Sequence, residues 1–222
     1  PYHKMRKLYE QLSAFFNIIA MAGMGAFTVL GGRIKPIGLF GPVVVMKRED
    51  YLARGGHGQV KGQILDDLAF GSDLQKKGTE VHCLGGKGTI SFRMYPNGIR
   101  ELINGWSKGF AMGAAKTSIP LLILIVAWIC GSIGTTRGLI ESIAATNNAQ
   151  IAISGGLYFL YSAQIYWMLA RTGNFKFYTA LLYVIPVAFF VVVFIYSLIR
   201  IFVVKSVIWK GREISLKRKV NE

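Results

Sequence analysis

The sequence predicts an α/β module, half of a larger domain, followed by transmembrane helices, and three observations predict it. Three apolar stretches, Ser118 to Thr136, Ala149 to Ala170 and Tyr178 to Val204, occupy the second half of the chain, and each reaches or approaches the ~20 residues that a helix needs to cross a bilayer core. Before them lies a polar, glycine-rich segment in which strand-like and helix-like patterns alternate, as in an α/β layer structure. Lysine and arginine gather at the edges of the apolar stretches and in the tail, where they meet lipid headgroups.

The chain has 222 residues, 52% of them hydrophobic, and carries 26 Lys and Arg against 11 Asp and Glu. With a large share of its length committed to membrane, it has room for one modest polar unit. It starts at Pro1-Tyr2-His3 without a signal-peptide pattern, so it is expected to be a fragment lacking an N-terminal part. The net charge of +15 raises nucleic acid as a partner, but the cations are spread out and edge apolar stretches. They suit membrane lipids, and no nucleic-acid partner is expected. The densest cluster, Lys205, Lys210, Arg212, Lys217, Arg218 and Lys219, places the tail in the cytoplasm. Cys83 and Cys130 stand in no paired spacing, so neither a disulfide nor a zinc site is expected.

In chain order, residues 8 to 30 are apolar but carry Glu10, Gln11, Ser13 and Asn17, which suits a membrane-associated helix in the headgroup plane over 1–36. Lys35-Pro36 closes that segment. The polar module then runs over 37–117. Residues 37 to 46 read as a turn and a β-branched strand, and Arg48 to Arg54 as a short helix stopped at Gly55-Gly56. Val60 to Gly71 has helical spacing around Asp66 and Asp67. Residues 79 to 93 read as two strands about a glycine turn, and Ile99 to Ala115 as a helix leading into the membrane region at 118–204. Three crossings would put the basic tail, 205–222, on the wrong side. The middle stretch, with Gln150, Gly155, Gly156 and Gln164, is the least hydrophobic and is expected to be interfacial or re-entrant.

Chemistry concentrates in two places. Asp66 and Asp67 are adjacent, so on a helix they point about 100° apart; one can enter a cleft while the other orients it. The pair taken alone reads first as a solvated acidic helix start. The second place is Arg93-Met94-Tyr95-Pro96-Asn97-Gly98, then Arg100, Trp106 and Lys108. Cations beside a tryptophan suit a diphosphate and a sugar or lipid, and equally an interfacial anchor with snorkelling side chains. The glycine clusters Gly55-Gly56-His57-Gly58 and Gly85-Gly86-Lys87-Gly88 match no phosphate-loop pattern and read as turns.

Taken in order, residues 40 to 57 (FGPVVVMKREDYLARGGH), 64 to 71 (ILDDLAFG), 92 to 98 (FRMYPNG) and 105 to 109 (GWSKG), then apolar spans, resemble the second half of the membrane-bound family 2 glycosyltransferases. The closest branch glucosylates a carotenoid carboxylic acid on the route to staphyloxanthin-type pigments. The resemblance implies a GT-A fold, a UDP-sugar donor, inversion at the sugar and a lipophilic acceptor drawn from the bilayer of a bacterial cell, with the catalytic module on the cytoplasmic face. It assigns the catalytic base to Asp67 with Asp66 as partner, and puts Gly55, Gly56 and His57 beside the acceptor. The family's Q-x-x-R-W motif falls on Leu102 to Trp106, where Leu102 replaces Gln and Gly105 replaces Arg; Arg93, Arg100 or Lys108 then stands in for the lost cation. A divalent cation, Mg or Mn, is implied for the complete enzyme, with ligands upstream of Pro1, so the chain alone is expected to be inactive. Transfer to a glycerolipid or polyprenyl phosphate and a non-catalytic membrane anchor are the competing readings.

Overall fold

The structure, a computed structural model, describes residues 1–24, 26–27, 36, 38–61, 65–204, 206–209 and 212–215. The tail cations Lys205, Lys210, Lys217, Arg218 and Lys219, and the expected break at Lys35, lie outside the described residues. Helices dominate. Strands among the described residues are four short pieces in two pairs: β1 (Tyr2–His3) runs parallel to β2 (Ser91–Phe92), and β3 (Ser206–Trp209) is antiparallel to β4 (Arg212–Ser215).

Two expected strand regions differ. Residues 43–47 have no regular structure and pair with no strand among the described residues, and of residues 79–93 only Ser91–Phe92 is a strand, joined to the chain start rather than to its own neighbour. A β-branched run supplies strand propensity but no partner edge. The α/β layer expected for the polar module is therefore represented by helices and irregular chain.

A 3-10 turn, Leu8–Ser13, continues into helix α1 (Ala14–Gly23). Ala14, Phe15 and Phe16 have no exposed surface, and Ile18 almost none. This segment is buried on every side, unlike an amphipathic surface helix, because its polar residues are satisfied internally. Glu10 accepts from the backbone N–H groups of Arg6 (2.5 Å) and Lys7 (2.8 Å), and pairs with Arg93 through Nε (2.8 Å) and Nη2 (2.7 Å). Gln11 Oε1 accepts from Lys176 N–H and the Thr179 hydroxyl. Ser13 accepts from Trp106 Nε1 at 3.2 Å. Such partners let polar groups sit in a core at little net cost.

Helix α2 (Arg48–Ala53), a 3-10 turn (Gly56–Val60) and α3 (Asp66–Lys76) form a small satellite around Val60, Phe70 and Leu74. Helix α4 (Ile99–Lys116) turns Leu102 and Trp106 inward onto α1, with Trp106 stacked on Phe16 at 5.0 Å. Helix α5 (Ile119–Ala144) starts with Pro120 in its first turn, where the missing N–H costs nothing. It pairs antiparallel along α6 (Asn148–Thr172), as bonds from Trp128 to Gln164 and Ser142 to Ser154 show.

The last apolar stretch is not one continuous helix. Helix α7 (Phe177–Leu181) reaches only the middle of the α5–α6 pair, where the Tyr183 hydroxyl donates to Ser132 O at 3.1 Å and Tyr158 donates to Leu181 O at 2.7 Å. From there α8 (Val184–Ile199) returns to α4, and the Ser197 hydroxyl donates to Ser107 O at 2.6 Å. A π-helical turn, Arg200–Val204, follows. The third stretch is thus broken at Leu182–Tyr183, whereas the middle stretch forms the single helix α6. Among the described residues, two helices are long and apolar enough to cross a membrane, α5 and the run Val184–Val203.

Candidate active site

Asp66 and Asp67 open the first turn of α3, with Asp66 exposed and Asp67 half-buried. What shelters Asp67 is the preceding loop, which crosses α3 at close range. Leu39 N–H approaches Asp67 O at 3.4 Å, and a Cβ on Gly38 would lie 2.6 Å from the Leu68 backbone. A Cβ on Gly41 would collide with the Asp67 carboxylate. Gly41 is thus the floor on which that carboxylate rests.

On the other side, Gly55 and Gly56 adopt φ of 71° and 52°, the left-handed region that glycine enters without strain. This turn brings His57 back against α3, with Nε2 3.8 Å from Asp67 Oδ1. The His57 ring packs on Phe70 at 4.8 Å, and its Nδ1 lies 2.9 Å from the Tyr51 hydroxyl. Tyr51, His57 and Asp67 therefore form a row in which Tyr51 holds the imidazole at Nδ1 and Nε2 faces the Asp67 carboxylate. Burial pushes the Asp67 carboxyl above its ordinary range and the charge of Asp66 pushes further in the same direction; His57 and Lys108 offset only part of this.

Asp66, Asp67 and Lys108 line a cavity of about 610 Å³. Its walls are apolar: Phe110 and Gly113 from α4, Ile125 and Ile129 from α5, Phe190 and Phe194 from α8. The site thus joins a carboxylate pair and one cation to a greasy chamber between the helices that follow. This is the geometry of a pocket with few convergent polar groups.

The other expected residues fall elsewhere or serve the core. Arg93 is committed to buried Glu10. Arg100 is exposed on α4 and lines neither described cavity. Trp106 is nearly buried, held by Ser13 and Phe16, and shows the cavity only part of its ring. Leu102 is fully buried, and at Gly105 the Tyr95 ring fills the space a side chain would take. An arginine at 105 has no room in this packing, which accounts physically for the departure from the expected motif. Tyr51 and Gly41 were not singled out in the sequence; the signal for Tyr51 was its place on the far side of the Gly55-Gly56 turn from His57. A second cavity, about 510 Å³, lies beside Val81, Cys83 and Arg171. Among the described residues no three His, Cys, Asp or Glu side chains converge as metal ligands, so the expected divalent cation has no fitted site in them.

No protein-family model and no solved structure matches the chain. Curated relatives do. The chain is 32% identical over 219 residues to 4,4'-diaponeurosporenoate glycosyltransferase of Staphylococcus aureus strain USA300, and equally to that of strain NCTC 8325 / PS 47. The protein of the same name from strain MRSA252 is 32% identical over 221 residues. The chain is similar to part of a glycosyltransferase. The alignments take in 99% of the chain and 58% of each relative's length. The resemblance drawn from the ordered motifs and this similarity agree.

Proposed function

We propose that the protein is the acceptor-binding part of a bacterial membrane glycosyltransferase that moves glucose from a UDP-sugar to a carotenoid carboxylic acid, with inversion at the sugar. The observation that carries the reading is the cavity that runs from the Asp67 carboxylate into apolar walls on α4, α5 and α8. An acceptor with a long hydrocarbon body and a polar head fits such a chamber. The name of the similar staphylococcal proteins points to the same acceptor class.

In the reaction, an acceptor carboxylate oxygen attacks the anomeric carbon with its electron pair. The bond from that carbon to the diphosphate oxygen breaks, and UDP leaves with the bonding pair. The product is a glucosyl ester. A carboxylic acid is already ionised near neutral pH, so no proton has to be taken. Asp67, with His57 and Tyr51 behind it, then positions the acceptor head; with an alcohol acceptor the same carboxylate would serve as general base, a role worth about 10²–10⁴-fold. In the complete enzyme a divalent cation would neutralise charge on the diphosphate. The return of α8 to the side of α4 suits a module and a basic tail on the same, cytoplasmic, face.

The test is transfer of radiolabelled glucose from UDP-glucose by membranes carrying the complete reading frame, with a C30 carotenoid acid and a diacylglycerol as competing acceptors. Label on the carotenoid in wild type and not in Asp67→Ala is the expected result. Label on the diacylglycerol alone overturns the acceptor, and label on neither overturns the reading.

A further inference from the structure

The acceptor cavity has a charge problem at its head. A carboxylate acceptor that reaches the reacting position must approach Asp66 and Asp67, two acids within one helical turn. In an apolar chamber the repulsion is screened far less than in water. The described lining of the cavity contains one cationic side chain, Lys108, half-buried on α4. It lies on the same helical face as Gly105, three residues earlier, where Tyr95 has closed the position. Phe110 and the α8 aromatics Phe190 and Phe194 line the same cavity.

We propose that Lys108 is the acceptor-carboxylate subsite of this cavity, the residue that selects an ionised carboxylate over a hydroxyl at the head of a long apolar ligand. The inference rests on the acceptor reading above and adds to it the residue that decides acceptor class. Lys108, one of three candidates for the diphosphate contact, is thereby assigned to the acceptor. Three observations support the assignment. The lysine shares a cavity with Asp66 and Asp67. The walls beyond it accept hydrocarbon and offer no second cation among the described residues. Arg93, the other cation expected near the site, is not in the lining of this cavity. Lys108 is close enough for its charge to ease the ionisation of Asp67, so it acts on the place where the acceptor head must come. An ammonium on a flexible stem can bond one carboxylate oxygen while the other faces the sugar.

The experiment measures binding alone, with no donor present. The full-length protein in zwitterionic nanodiscs is titrated at pH 8 with all-trans-retinoic acid and with all-trans-retinol, two polyenes of like size that differ in the head group. Binding is read from quenching of tryptophan fluorescence. The wild type is expected to prefer the acid by about 10-fold or more, since hydrogen bonds to charged groups are the stronger kind and tenfold corresponds to about 1.4 kcal/mol. Lys108→Gln is expected to lose that preference while keeping retinol affinity, which also reports an intact cavity. Lys108→Arg is expected to retain it. Equal affinity for both probes in the wild type, or an acid preference that survives in Lys108→Gln, overturns the assignment and leaves the cavity reading standing. Binding of neither probe to the wild type overturns the cavity reading and this assignment together.

Discussion

Replacing Gly105 by alanine isolates one packing contact. A Cβ at this position would lie 2.6 Å from both Cζ and Oη of Tyr95, with Cε1 nearer still. Ordinary carbon contacts begin about 1 Å further out, so the ring must retreat. It has little room: Tyr95 is 9% exposed, its ring meets Trp106 edge-on at 5.8 Å, and its carbonyl accepts from the Tyr9 hydroxyl at 2.6 Å. Overpacking of this kind costs about 1–3 kcal/mol. For a chain of this size that lowers Tm by roughly 2–12 °C, read by circular dichroism of the detergent-solubilised protein. Tyr95→Ala is destabilising by itself, by about 3–5 kcal/mol if it behaves like other aromatic truncations, but it vacates the contested space. Gly105→Ala added to Tyr95→Ala is therefore expected to cost almost nothing, giving a coupling of about 1–3 kcal/mol in the double-mutant cycle. A neutral Gly105→Ala, or the same loss in both backgrounds, would refute the account of why no arginine stands at 105.

Three further outcomes follow from the same geometry. Burial alone would raise Glu10, but the N–H groups of Lys7 and Arg6 and the Arg93 guanidinium outweigh it and hold the carboxyl below its ordinary value; its contribution is present above that ordinary value of 4.5 and is lost as pH falls through the lower folded value. Acid unfolding should show this loss in wild type and not in Glu10→Gln, and Glu10→Ala should cost about 3–5 kcal/mol at pH 7 because it strands Arg93. Asp67 has the opposite sign: its folded value lies above the ordinary 3.8, so its charge opposes folding at neutral pH. Asp67→Asn should then raise Tm at pH 7 and not at pH 3, while costing transfer to an alcohol acceptor more than transfer to a carboxylic acid. Equal losses with the two acceptors would remove the positioning role. Gly113, where an added Cβ would meet nothing within 4 Å, lines the cavity; Gly113→Leu should fold normally and lose binding of long polyenes in the quenching assay.

Helices were legible where apolar periodicity was long and marked by end signals. The run Ile99 to Ala115 became α4, and the first apolar stretch became α5 with Pro120 at its start. Asp66-Asp67 was legible as a helix start, but the approach of His57 to Asp67 was not, because the glycine cluster around it reads only as a turn. Val43 to Met46 was read as a strand from residue type, but a strand exists only when another edge offers its hydrogen bonds, and the sequence does not say which edges meet. The same limit hid the parallel pairing of Tyr2–His3 with Ser91–Phe92 across nearly half the chain. Glu10, Gln11 and Ser13 read as a polar edge because their partners, Arg93, Thr179 and Trp106, are far away in sequence. The cavity was invisible for a related reason. Its walls come from helices that meet only after α8 turns back at Tyr183, and hydropathy registers that stretch as one span.

The most direct test of the central claim is photoaffinity mapping of the acceptor in membranes, using a long polyene carboxylic acid with a diazirine at the end remote from the carboxyl. Adducts on the α5 peptide containing Ile125 and Ile129 and on the α8 peptide containing Phe190 and Phe194, displaced by unlabelled acid and lost in Gly113→Leu, are the result expected from an acceptor lying in the chamber behind Asp67. Adducts confined to the cavity beside Val81 and Cys83, or unaffected by unlabelled acid, would contradict it.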